Sequence, residues 1–137
     1  MAGAVCSVMP SAADAAIVEV GVEALAPTTM SLLQAGVRRI LLEKPGALNR
    51  IQIEALQAEA RARGAVVVIA YNRRFFAATL AAQQMIKEDG GVQSLNFEFT
   101  EWGHVIEGLT KGPGVKEAWL LGNSTHVIDL AFYLGGE

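Results

Sequence analysis

The sequence is poor in the residues that cross-link a chain or give it a strong charge. Its single cysteine, Cys6, cannot form an internal disulfide, and no cysteine–histidine set has zinc spacing, so no metal site is expected. Eleven lysines and arginines stand against 14 acids, for a formal charge of −3. The only basic pairs are Arg38-Arg39 and Arg73-Arg74. Nucleic-acid binding needs a clustered cationic footprint, so that partner class is disfavoured. No apolar run approaches the ~18 residues that span a bilayer, so no membrane helix is expected. The stretch from Met1 to Ala16 is small and apolar but lacks a positive segment, and does not read as a secretory signal. A reducing, cytoplasmic compartment is the expectation.

What is present is apolar. At 137 residues the chain is one domain's worth of polypeptide, with 52% hydrophobic residues and a mean hydropathy of +0.33. That is high for a freestanding domain of this size. Some apolar faces are therefore expected to be covered by further chain segments or by copies in a homo-oligomer.

Short β-rich runs alternate with amphipathic helices. Ala16 to Val22 reads as a strand. Pro27 suits a helix's first turn, and Thr28 to Ala35 carries that helix to Gly36. Val37 to Glu43 is the next strand. Asn49 begins a long helix, with Gln52 placed to complete a capping box and Gly64 as its stop. Ala65 to Ala70 is a continuous apolar run, as in a parallel strand buried on both faces. Arg74 to Glu88 is a further helix, ended by Gly90-Gly91. This β-α-β-α-β-α order predicts a doubly wound parallel sheet.

After Gly91 the pattern changes. Val92 to Trp102 alternates, with Leu95, Phe97 and Phe99 on one side, as in a half-buried antiparallel strand. A loop with Gly108, Gly112, Pro113 and Gly114 follows. Asn123-Ser124-Thr125 then supplies cap chemistry for a last helix through Leu134. A domain boundary is expected near Gly90, giving regions 1–90 and 91–137. No strand, Gly-x-Gly-x-x-Gly turn and helix is found, so the usual pyrophosphate site is missing from the sequence.

The most informative segment is Glu43-Lys44-Pro45. It places a lysine at the carboxyl end of a strand, the edge of an open α/β sheet where ligands bind. Tyr71-Asn72-Arg73-Arg74 follows the next strand at the same edge, where an arginine either binds a substrate hydroxyl, carboxylate or phosphate or caps the sheet. Phe75 and Phe76 are expected to pack. His126 suits proton transfer near neutrality, and Asp129 lies three residues on, on the same helical face, where it could orient the ring or cap a local network. Read from the residues alone, each of these also has a structural explanation.

Together the segments Leu41-Leu42-Glu43-Lys44-Pro45, Tyr71-Asn72-Arg73-Arg74-Phe75 and His126-Val127-Ile128-Asp129-Leu130 resemble the Gfo/Idh/MocA oxidoreductases in order and spacing. The likeness runs from about Ala16 to the C-terminus. It implies an NAD- or NADP-binding Rossmann domain joined to an α/β domain with a large, mostly antiparallel sheet. On that basis residues 1–90 correspond to the second half of a Rossmann-type domain. Residues 91–137 correspond to the start of the substrate domain, and the chain is partial. The implied activity is oxidation or reduction of a hydroxyl or carbonyl on a sugar, cyclitol or related small molecule.

The same resemblance implies roles. Lys44 would hydrogen-bond the reacting oxygen and His126 would act as general acid-base. Val20, Gly21, Leu25, Glu43, Lys44 and Pro45 would line the cofactor, with Glu43 alternatively pairing with an arginine. Tyr71, Asn72, Arg73, Arg74, Trp102, Asn123 and Asp129 would face the sugar-like substrate. Trp102, beside Glu101, either stacks on a sugar ring or packs in the core. Three positions depart from the family pattern. Gly21 and Leu25 stand where a proline and a histidine are common, so backbone contact with the cofactor stays open while those side-chain contacts are lost. Gly122 stands where many members carry an aspartate four residues before the histidine. Asn123 beside it can orient a substrate but cannot carry a proton. A non-catalytic remnant that binds a partner chain is the alternative reading.

Overall fold

The computed structural model describes residues 13–136, which divide into two compact units, one ending at Ile69 and the other beginning at Ala70. The division falls ahead of the helix that sequence grouped with the first region, whose boundary was expected near Gly90. That helix makes its contacts with the last helix of the chain.

The first unit is a three-stranded parallel sheet, ordered β1 (Ala16–Val18), β2 (Arg39–Leu42), β3 (Val66–Ile69). Helices α1 (Val22–Gln34) and α2 (Arg50–Ala62) form the crossovers. This is the expected parallel α/β arrangement. Both helices pack on one side of the sheet and against each other, around Leu25, Leu33, Val37, Ile40, Leu42 and Leu56.

Helix α1 starts at Val22, not near Pro27, and Pro27 lies inside it. Leu25, Thr29 and Leu33 repeat every four residues across the proline, and all three are fully buried. Burying a leucine is worth about 1.5–3 kcal/mol. Two of them offset the roughly 3 kcal/mol that an interior proline costs, so packing overrides the local preference.

At α2 the capping reading holds. The Gln52 backbone N–H donates to Asn49 Oδ1 at 3.0 Å. The Gln52 side chain reaches back to accept from the Leu48 N–H at 2.9 Å, one residue upstream of the usual partner.

β3 corrects the expectation of burial on both faces. Val66 and Val68 are 59% and 53% exposed. In register with Val68 lie Leu41 and Ile17, also exposed. The side of the sheet opposite the helices is thus an uncovered apolar row among the described residues, because both crossovers run over the other side.

In the second unit a 3₁₀ turn (Asn72–Phe75) precedes α3 (Ala77–Glu88). The expected single helix from Arg74 is broken at Phe76, which is extended. Phe75 and Phe76 are exposed rather than packed. Residues 92–102 form no strand. An alternating segment has no strand geometry until a neighbour pairs its backbone groups, and no described residue does so. A short α4 (Gly103–Glu107) lies where a loop was expected. A π-helical turn (Leu120–Ser124) then runs directly into α5 (Thr125–Gly135). Ser124 is helical and makes no side-chain cap, so the expected cap at 123–125 is replaced by continuous helix.

Replacing Asn49 with alanine is expected to lower stability by about 1 kcal/mol. Urea unfolding followed by circular dichroism measures this. An unchanged midpoint would show that α2 does not depend on its cap.

Candidate functional site

The carboxyl end of β2 is held by its neighbours. The Glu43 N–H donates to the Val18 carbonyl at 2.9 Å, joining the ends of β1 and β2, and the Gly46 N–H closes a turn onto the Glu43 carbonyl at 3.0 Å. The Lys44–Pro45 peptide is cis. Gly46 has φ +88°, and a Cβ there would lie 3.0 Å from Ile69 Cδ1 and 3.1 Å from Ile53 Cδ1. Only glycine meets both demands, which accounts for the Gly after Lys-Pro. Pro45, Gly46 and Ala47 are buried, while Lys44 and Glu43 are half-buried. The turn therefore holds the lysine on a rigid base at the sheet edge.

Beside it, Gly21 caps α1 through its backbone, and the Ala24 N–H donates to its carbonyl at 2.8 Å. Val20 is exposed. The Leu25 side chain is fully buried in the core, where only backbone contact with a cofactor was expected. This edge offers the Lys44 cation and the exposed Val20 side chain, which suit the nicotinamide end of a dinucleotide. Among the described residues no glycine-rich strand–turn–helix is present for the pyrophosphate, so the fit extends to that end alone.

The second unit gathers Tyr71, Arg74, His126 and Asp129. Arg74 Nε donates to Asp129 Oδ2 at 2.8 Å, and its Nη2 donates to Asp129 Oδ1 in a two-pronged bond. That hydrogen-bonded carboxylate raises the Arg74 pKa above its usual value. The guanidinium lies 4.9 Å from the Tyr133 ring centre and 5.8 Å from that of Tyr71. Tyr71 meets His126 edge-on, with centroids 6.1 Å apart. Nothing in the sequence marked Tyr133. Its spacing of four from Asp129 on α5 is the signal that would have found it.

A second cluster forms around Glu101. Its Oε1 accepts from Asn123 Nδ2 and from the Ser124 hydroxyl, each at 2.9 Å. Asn123 is thus engaged with a protein carboxylate. Those two bonds, Asn123 first, hold Glu101 below the usual glutamate pKa, so it is an ionised acceptor at neutral pH. Trp102 is not core: it is 70% exposed and stacks on His104 at 6.2 Å with 15° between the ring planes. Asn72 is exposed, and Arg73 is half-buried with its carbonyl accepting from Thr79 Oγ1 at 2.8 Å. Lys44 belongs to the first unit and His126 to the second. Among the described residues no cluster of three or more candidate metal ligands occurs, and no helix is long and apolar enough to cross a membrane.

No protein-family model matches the chain, and no curated protein does. Solved structures do. An aldose-aldose oxidoreductase from Caulobacter crescentus, solved with glycerol, aligns at TM-score 0.67 and 22% identity, over 90% of this chain and 38% of its own. The WlbA dehydrogenase from Bordetella pertussis, in complex with NADH and UDP-GlcNAcA, aligns at 0.66 and 17%, over 91% and 40%. A levoglucosan dehydrogenase in complex with NADH aligns at 0.62 and 23%, over 90% and 35%. These three are named as an oxidoreductase and two dehydrogenases, and the chain shares their fold. The chain spans 33% to 40% of the length of the solved structures compared.

Glu101 gives a pH test. A lowered folded-state pKa contributes stability that is fully present above the unfolded value, near 4.5, and lost as pH falls through the folded value. Glu101→Gln is therefore expected to lower the urea midpoint at neutral pH and to flatten its acid fall below 4.5. Parallel acid limbs for the two proteins would show that the Asn123 and Ser124 bonds carry no linkage.

Proposed function

We propose that the chain is the part of a nicotinamide-dependent oxidoreductase of the Gfo/Idh/MocA type that carries the active-site lysine and histidine. The substrate class is a sugar, cyclitol or related small molecule, reacting at a hydroxyl or carbonyl. The observation that carries this reading is the placement of the three motifs. Lys44 follows the central strand, Tyr71 to Arg74 follow the next, and His126 opens the last helix. All three lie on a fold shared with two enzymes named for sugars and with a dehydrogenase solved with NADH and UDP-GlcNAcA.

A bound NAD or NADP supplies or accepts the hydride. Val20, Gly21, Glu43, Lys44 and Pro45 would hold its nicotinamide end at the carboxyl edge of β1 and β2. The Lys44 ammonium donates a hydrogen bond to the reacting oxygen and offsets the negative charge that grows there. His126 takes the hydroxyl proton during oxidation and returns it during reduction. With Gly122 in place of a carboxylate, that proton work falls to His126 and Lys44. Glu101, held ionised, accepts hydrogen bonds but donates none. Trp102 offers an exposed ring face to a sugar, and Asn72 and Arg73 offer polar groups at the strand end.

The test is a titration of the purified chain with NADH and with NADPH, read by nicotinamide fluorescence, with circular dichroism establishing that the chain is folded. Saturable binding that weakens in Lys44→Ala is expected. In a turnover assay, Lys44→Ala and His126→Ala are each expected to lower kcat on the order of 10²–10⁴-fold. A folded chain that binds neither nucleotide overturns the reading for this chain.

A further inference from the structure

We infer that Arg74 and Asp129 are a positioning pair for His126 rather than substrate contacts. Only the catalytic part assigned to His126 rests on the oxidoreductase reading; the pair itself lies wholly within the second unit. Both oxygens of Asp129 are taken by the Arg74 fork, and the Asp129 side chain is 12% exposed against 40% for Arg74. A carboxylate that far from water is costly unless paired, so a ligand that drew Arg74 away would strand it. The guanidinium is also fixed between the Tyr133 and Tyr71 rings, where its flat face suits aromatic contact.

The geometry ties one face of α5 to one short turn. Positions 126, 129 and 133 stack along the helix, and they meet Tyr71, Arg74 and Arg74 again, respectively. The fork therefore sets the register of α5 against the Tyr71 turn, and with it the place of the imidazole. It also sets the field. Asp129 lies one turn from His126, and Arg74 cancels most of its charge. Tyr71, Arg74, Asp129 and Tyr133 are the titratable groups joined by the contacts described for this strip. α3 adds the neutral Gln83, which accepts from the Tyr133 hydroxyl at 3.3 Å.

The signs follow from Coulomb's law. Arg74→Gln leaves Asp129 uncompensated and favours the charged imidazole. Asp129→Asn leaves Arg74 uncompensated and disfavours it. The test is a proton NMR titration of His126 in the full chain, assigned against a His104→Gln variant. The midpoint is expected to rise in Arg74→Gln and fall in Asp129→Asn, each by on the order of 1 unit, and to return near its original value in the double variant. Arg74→Lys keeps the charge and loses the fork. It is expected to hold the midpoint while weakening the Tyr71–His126 contact, read as a lost nuclear Overhauser effect. Equal midpoints in folded Arg74→Gln and Asp129→Asn overturn the proposal.

None of these readouts needs cofactor or substrate, so failure of the oxidoreductase reading leaves them standing. Where turnover is measurable, both single variants are expected to lower kcat with KM little changed and to displace the pH profile in opposite directions. A rise in KM alone would return Arg74 to the substrate.

Discussion

Parallel pairing on both sides of β2 is the constraint from which the first unit follows. Parallel neighbours cannot be joined by tight turns, so each connection must cross the sheet as a helix. With the strands in sequential order, both helices settle on the same side, where Val18, Ile40 and Leu42 point. The strand then has nowhere to go at its carboxyl end except out of the sheet. Glu43 is bonded to the end of β1, and Gly46 turns the chain under Ile69 and Ile53. Lys44 is held between those two fixed points. Its rigidity is a by-product of the pairing, which is what a site on a strand end requires.

The second unit has no sheet to impose order, and a polar contact does comparable work. Its buried apolar set is small: Val115 and Ala131 are the buried hydrophobic residues among those described. Under such conditions a two-pronged ion pair with a largely buried carboxylate specifies how α5 meets the chain before α3 more sharply than loose apolar contact would. Surface ion pairs contribute little because water and salt screen them. This one differs because its carboxylate is largely withdrawn from water and its guanidinium is faced by two rings.

The sequence showed most clearly those elements whose information is local. The Asn49–Gln52 cap and the glycine stops were legible because each depends on residues within four positions. Pro27 misled because its preference is local while the Leu25–Thr29–Leu33 stripe is satisfied only by the sheet. Residues 92–102 misled in the opposite sense: their alternation is a strand pattern, but a strand exists only once paired. At the candidate site, the residue types at 74, 126 and 129 were readable. Their partnership was not, since 55 positions separate Arg74 from Asp129. Asn123 likewise looked like a cap, and its bond to Glu101 spans 22 positions.

The unusual hydropathy of the chain has a location. Ile17, Leu41 and Val68 form one in-register row, with Val66 beside it, and all four are exposed. In a sheet with helices on both sides, such a run would be as ordinary as the row of Ile40 and Leu42 behind it. Here the row is exposed because the two crossovers described both cover the other face. Leu95 and Phe97 are exposed as well, in an alternating segment that no described residue pairs. The excess apolarity of this chain therefore lies on these exposed rows, apart from Lys44, Arg74 and His126 themselves.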